Sequence, residues 1–206
     1  MDIRLTSCNV NCFPWSFTPI RQKVAELIGR SEIVALQGVW CRHPEWTAAF
    51  AEHGWTLVRP ARESQFVAIF GSGLAVAFSG RWRLLDSRLY PFLSGVDFPG
   101  IKGWFRVDLE NVARGYPLRL LNASCQIQMT LLGGEEIRMA QGRQLTETET
   151  ERDLPTLLTG ELNTDENWFR GFRRQGNCLY PARQAWTIYT DTDLDSSWLC
   201  QLNVYS

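Results

Sequence analysis

Four segments of this 206-residue chain carry side chains suited to phosphate or metal chemistry. Asn9 closes an alternating segment near the start, and Glu161 and Asn163 follow the apolar run LPTLLTG, so amides and a carboxylate stand at the ends of two strand-like stretches. Oxygens of this kind suit a hard cation or its phosphate, while polar residues beside a closing turn serve equally as structural caps. Asp191, Asp193 and Asp195 alternate in TDTDLDSS as at the start of a calcium loop, but no glycine turn and no closing glutamate follow, so a solvated acidic turn is expected. Trp168, Phe169, Arg170, Arg173 and Arg174 form a basic-aromatic cluster able to touch phosphate or an acidic partner. The same cluster fits the ordinary cationic end of a helix.

The only histidines, His43 and His53, flank a short helical segment without sharing a face, which predicts surface positions rather than zinc ligands. The six cysteines, at 8, 12, 41, 125, 178 and 200, include no CxxC pair; buried free thiols are expected rather than a disulfide or zinc framework. An aromatic-rich core accounts for most of the nine tryptophans, with Trp15, Trp40 and Trp198 as candidates for an exposed binding surface.

These residues must be held by an ordered set of elements. Asp2 to Asn11 alternates as a half-buried strand. Thr18 and Pro19 read as N-cap and first residue of a helix that ends at Gly29. Ser31 to Val39 is a continuous apolar run suited to a central strand, Pro44 to His53 a helix closed by Gly54, and Trp55 to Arg59 a strand. Successive strands are expected at 63–70, 73–79, 82–90, 102–109 and 117–124. A helix over 134–151 follows, with Ile137, Ala140, Gln141, Gln144 and Leu145 on one side, then a strand over 154–160, a helix over 165–175, and strands over 185–190 and 197–205.

A hydrophobic content of 45% over this length fits one domain, residues 1–206, with a sizeable core. Basic and acidic residues nearly cancel, 21 against 22, so net charge does not favour nucleic acid. No apolar run reaches the roughly 20 residues of a membrane span, and Asp2 and Arg4 interrupt the start of any leader. The expected setting is soluble and intracellular, in cytoplasm or nucleus.

Read in order, CNVN at 8–11, IVALQGVW at 33–40, GSGLAVAFS at 71–79, KGWFRVDL at 102–109, LLNASCQ at 120–126 and LLTGELNTDE at 157–166 resemble the endonuclease/exonuclease/phosphatase superfamily nearly from end to end. The neutral sphingomyelinase and DNase I branches are closest in flavour. The resemblance implies an α/β (α+β) class: a DNase I-like four-layered sandwich, two packed mixed β-sheets flanked by helices, with the site at one edge. It also implies phosphoester hydrolysis in which a divalent cation polarises the phosphate and an Asp/His pair activates water.

Carried over position by position, that pattern is broken. The first-strand Asn is kept at Asn9, but the metal-ligand glutamate falls on Gly38 and the phosphate-contacting histidine on Ser124. The GDFN motif reads Gly160, Glu161, Leu162, Asn163, keeping a carboxylate one methylene further out. The terminal SDH motif falls on Asp195, Ser196 and Ser197, without a histidine, and Trp186 or a neighbour occupies the strand of a further active-site aspartate. The resemblance therefore implies a catalytically degenerate protein, or pseudoenzyme, retained as a protein-binding or regulatory module for an unidentified protein partner, with no cofactor. The alternatives are a divergent Mg²⁺-dependent phosphodiesterase, nuclease or sphingomyelinase-like, using Glu161, Asn9 and Asn163 with a substitute base, and a non-cleaving nucleic-acid binder; Trp168, Arg170, Arg173 and Arg174 are the binding candidates, for phosphate or an acidic partner.

Overall fold

The computed structural model describes residues 2–12, 17, 19–60, 71–93, 101–125, 134–149, 154–162, 172–175, 178–181, 186–191 and 197–204. Among them, in chain order, run β1 (Asp2–Cys12), α1 (Ile20–Ile28), β2 (Ile33–Val39), α2 (His43–Ala51), β3 (Trp55–Val58), β4 (Ala75–Ser79), β5 (Trp82–Pro91), β6 (Gly103–Asn111) and β7 (Tyr116–Ser124). The chain continues with α3 (Gly134–Glu149), β8 (Thr156–Glu161), β9 (Phe172–Gln175), β10 (Cys178–Pro181), β11 (Trp186–Asp191) and β12 (Ser197–Val204).

The strands form two six-stranded sheets, ordered β11-β12-β1-β2-β4-β3 and β5-β6-β7-β8-β10-β9. Most neighbours are antiparallel, but β1 runs parallel to β2 and β7 parallel to β8, so both sheets are mixed. The period of two along each strand divides the apolar residues between layers. Ile3, Leu5, Ile33, Ala35, Val76 and Phe78 of the first sheet meet Phe105, Val107, Leu109, Leu118, Leu120 and Leu157 of the second in the central core. The alternate residues of the first sheet, Val34, Leu36, Ala75 and Ala77, pack with Val24 and Leu27 of α1 and Trp46 and Phe50 of α2. Trp104, Leu121, Ala123 and Leu158 on the outer face of the second sheet pack with Leu145 of α3. Helix, sheet, sheet, helix is the expected four-layered sandwich. No helix among the described residues is long and apolar enough to cross a membrane.

Several local expectations are corrected. Pro19 is the N-cap of α1 rather than its first helical residue, since its ψ of 79° is not helical. The second helix begins at His43 and ends at Ala51; His43 is partly buried at its first turn, whereas His53 is exposed as expected. The fourth strand starts at Ala75 rather than Gly73, because Gly73 takes a φ of 66° that a strand does not accommodate. The helix expected over 165–175 is contradicted at its end: Phe172–Gln175 is a strand, hydrogen-bonded to β10 in a register that pairs Arg173 with Tyr180 and Arg174 with Leu179. Pairing with the neighbouring strand overrides the helix-like charge order of that segment.

The third helix buries a different stripe from the apolar side expected. Arg138, Gln141, Leu145 and Glu149 are buried while Ala140 is exposed. The sheet face beneath explains this, because it carries Arg106, Asp108 and Arg119, each less than a tenth exposed. Arg119 makes two hydrogen bonds to Asp108, at 2.7 and 2.6 Å, and lies 3.9 Å from Glu149, whose other oxygen accepts from the Trp104 indole at 3.0 Å. A charged stripe is buried here against charged partners. The strand expected over 63–70 lies outside the described residues.

Candidate functional site

The inward-facing rows of both sheets change character toward the C-terminal ends of the parallel pairs. Ile3 and Leu5 give way to Ser7 and Asn9 in β1, and Ile33 and Ala35 to Gln37 in β2. Leu118 and Leu120 give way to Asn122 and Ser124 in β7, and Leu157 to Thr159 and Glu161 in β8. Since β1 and β2 run the same way, as do β7 and β8, their polar ends gather at one rim of the sandwich.

The inner part of this rim is a closed amide network. Gln37 Nε2 donates to Asn122 Oδ1 at 2.7 Å and to Ser7 Oγ at 3.1 Å. Asn122 Nδ2 donates to the carbonyls of Leu36 and Ala75 at 2.8 and 3.0 Å. Asn122 has no exposed surface and Gln37 only 2%, so these bonds replace water altogether and lock β7 of one sheet onto β2 and β4 of the other. Toward solvent, Asn9 Nδ2 donates to Glu161 Oε1 at 2.7 Å, a second link across the sheets. Beside it, Lys102 Nζ donates to Ser124 Oγ at 3.1 Å. Burial pushes the nearby Cys125 thiol up to about 12, opposed by the positive charge of Lys102 and reinforced by the negative charge of Glu161.

Two glycines shape the rim. Gly160 has a φ of 127°, and a Cβ there would lie 2.1 Å from the Ala123 carbonyl oxygen, so only glycine lets β8 approach β7 closely enough to set Glu161 opposite Ser124. Gly38 has a φ of 70° at a bulge where Val10 and Asn11 of β1 stand against it alone, between the register pairs Asn9–Gln37 and Cys12–Val39.

No known family model and no curated protein sequence matches the chain. Solved structures do. An endonuclease/exonuclease/phosphatase from Bacteroides vulgatus superposes with a TM-score of 0.74 at 11% identity, each chain covered over 100% of its length. The DNase I-like endonuclease/exonuclease/phosphatase fold is the fold of this chain. Sphingomyelinase C from Streptomyces griseocarneus matches this DNase I-like chain with a TM-score of 0.72 and 15% identity, and Staphylococcus aureus beta toxin with bound magnesium ions with 0.72 and 11%, both chains fully covered at 100% in each case.

Of the residues singled out in the DNase I-like pattern, Asn9 and Glu161 are brought into contact, Ser124 stands opposite Glu161 in the β7–β8 register, and Gly38 lies one residue beyond Gln37. Ser197 opens β12 opposite Cys8, one position from Asn9, so the first sheet carries it to the same end. Trp186 falls at the far end of β11, against Val204, and it is Asp191, as the last residue of that strand rather than part of a turn, that reaches the near end. Asn163, Trp168, Arg170 and Asp195 lie outside the described residues, while Arg173 and Arg174 sit in β9, at the outer edge of the second sheet. Gln37 and Lys102 escaped sequence reasoning. The signal for Gln37 was present: a glutamine in phase with Ile33 and Ala35 must face the central core, where it needs a partner.

Proposed function

We propose that this DNase I-like protein is catalytically degenerate and uses the scaffold for binding or regulation, with a protein as partner, rather than for phosphoester hydrolysis. The observation that carries the reading is Gly38. Where the resemblance calls for a metal-binding glutamate, the chain has not only lost the carboxylate but taken a left-handed backbone of φ 70° inside a bulge, which a glutamate enters only with strain.

The beta toxin structure holds magnesium ions. Magnesium asks for near-octahedral oxygen ligation anchored by carboxylates. Among the described residues the rim offers Glu161, with one oxygen accepting from Asn9 and with the Lys102 ammonium nearby on Ser124, and Asp191 at the near end of β11, two strands away from β1 in the first sheet. That donor set does not fit the ion. Leu84 and Leu85 of β5, at an edge of the second sheet among the described residues, and Val112 just after β6 support the partner-binding half of the proposal: all three stand exposed, where apolar cover would be favourable. An intracellular setting belongs to the same proposal and accords with the free thiols at Cys8, Cys12, Cys41 and Cys125.

One observation favours a second reading, a divergent metal-dependent phosphodiesterase: the Asn9–Glu161 contact keeps an amide and a carboxylate together at the mouth of the sandwich. Purified protein with Mg²⁺ or Mn²⁺, incubated with plasmid DNA, RNA, sphingomyelin and a chromogenic phosphodiester, separates the two. The expected result is no turnover above that of Glu161→Ala. Turnover that this substitution abolishes overturns the proposal, and a salt-dependent shift of labelled DNA without cleavage replaces it with a nucleic-acid binder.

A further inference from the structure

Two sulfur atoms meet where the first sheet runs out toward the rim. Cys12 ends β1 and Cys41 follows β2 by two residues, and their Sγ atoms are 3.6 Å apart. The backbones there are already joined: Trp40 N donates to the Cys12 carbonyl at 3.2 Å, and the Cys41 thiol points at that same oxygen from 3.3 Å. Both residues are free cysteines. A disulfide bond is about 2.0 Å long, so the sulfurs need close by only about 1.5 Å, within reach of side-chain rotation. The two thiols differ in access. Cys12 has no exposed surface, whereas Cys41 is partly exposed.

We propose that Cys12 and Cys41 are a covalent modification site, forming a reversible disulfide when Cys41 meets a peroxide. The Cys41 thiol, which burial and the hydrogen bond with Cys12 keep protonated at neutral pH, reacts through the small fraction that has lost its proton, which attacks one peroxide oxygen; the O–O bond breaks, leaving a sulfenic acid on Cys41 and releasing one water. The Cys12 sulfur then attacks the Cys41 sulfur, the S–O bond breaks, and the departing hydroxide leaves as a second water with the Cys12 proton. Two thiols are oxidised by two electrons and one peroxide is reduced to two waters. An external dithiol reverses the bond by exchange. Cys12 acts as the resolving thiol because it has no exposed surface, whereas Cys41 is partly exposed. Cys8 and Cys125, each 1% exposed, are shielded from the first step.

The bond would close the loop from Cys12 to Cys41 around α1 and β2 and clamp the ends of β1 and β2 on either side of the Gly38 bulge. It therefore fixes the strand end that carries Asn9.

The test uses the full chain, treated with hydrogen peroxide, blocked with an alkylating agent under denaturing conditions and digested with trypsin without reduction. The expected product links peptide 5–21 to peptide 31–42, with fragment ions placing the link on Cys12 rather than Cys8, and dithiothreitol releases it. The oxidised protein should melt roughly 5–10 °C above the reduced one, a gain lost in Cys41→Ser. Cys12→Ser should leave Cys41 as sulfinic acid, unresolved. Recovery of Cys12 as an alkylated thiol from peroxide-treated wild-type protein whose Cys41 is oxidised overturns the proposal, as does a link through Cys8; neither outcome depends on any variant folding.

Discussion

Replacing Gly38 by glutamate would return a carboxylate to the position from which the resemblance says one is missing, but it would have to sit at a φ of 70°. A left-handed backbone costs a branched or long side chain about 1–2 kcal/mol, and asparagine less. Gly38→Glu is therefore expected to lower stability by about 1–2 kcal/mol in urea unfolding and to confer no phosphodiesterase activity, while Gly38→Asn is milder. Equal stability of the glutamate variant and wild type would show that the bulge adapts. The glycine itself was visible in the sequence as a gap in LQG, yet its conformation was not, because the bulge arises from the neighbouring strand, where Val10 and Asn11 share the space opposite one residue. The Cys12–Cys41 pair was hidden for a similar reason: the cysteine spacing follows no motif, and only the parallel pairing of β1 and β2 brings the two together.

Between elements, the decisive contact is the amide clamp of β7 on β2 and β4. Asn122→Ala would leave the Gln37 amide and the carbonyls of Leu36 and Ala75 without that side chain, in a place water does not reach. A loss of about 3 kcal/mol is expected on denaturant unfolding. Asn122→Leu combined with Gln37→Leu should recover part of it, since two of the buried polar groups then disappear together. An Asn122→Ala protein within about 1 kcal/mol of wild type would mean that the amide clamp adds little to the apolar packing between the sheets. At this scale the strands of the central sandwich were legible, for their alternation and turn residues agree with their burial. The segment around Arg173 and Arg174 was not, because its pairing with β10 is non-local, and α3 was legible as a helix but not in its facing, since charges buried against charges leave no apolar stripe to read.

For the whole molecule, alkaline pH is the condition that the buried ionisable groups oppose. Burial raises the Cys8 thiol to about 11 and Cys125 to about 12, burial and then the hydrogen bond with Cys12 raise Cys41 to about 11, and burial raises Tyr116 to about 12. In each case the folded state holds its proton more tightly than the unfolded chain, whose thiols titrate near 9 and whose tyrosine near 10. Their contribution is thus complete below about pH 9 and is lost as pH rises through 11 and 12. Reduced protein should show a melting temperature that falls from pH 9 upward, and a melting temperature rising across that range would contradict the burial of these groups. The four-layered architecture itself was the most legible feature of all, because the order of strands and helices along the chain, unlike any single site, survives the replacement of the residues that do chemistry.

The two sheets also differ in when their parts become available. The second sheet is built from one continuous stretch, β5 to β10, whereas the first joins β1 to β4 with β11 and β12, so that Asp2 pairs with Asn203. On a ribosome, β1 waits with one edge unpaired until β12, the last of these strands, has been made. The slow, long-range closure of that sheet should come last in refolding too. Pulsed hydrogen exchange is expected to find the amides of β6 and β7 protected before those pairing β1 with β12, and simultaneous protection would show that the molecule closes in a single step.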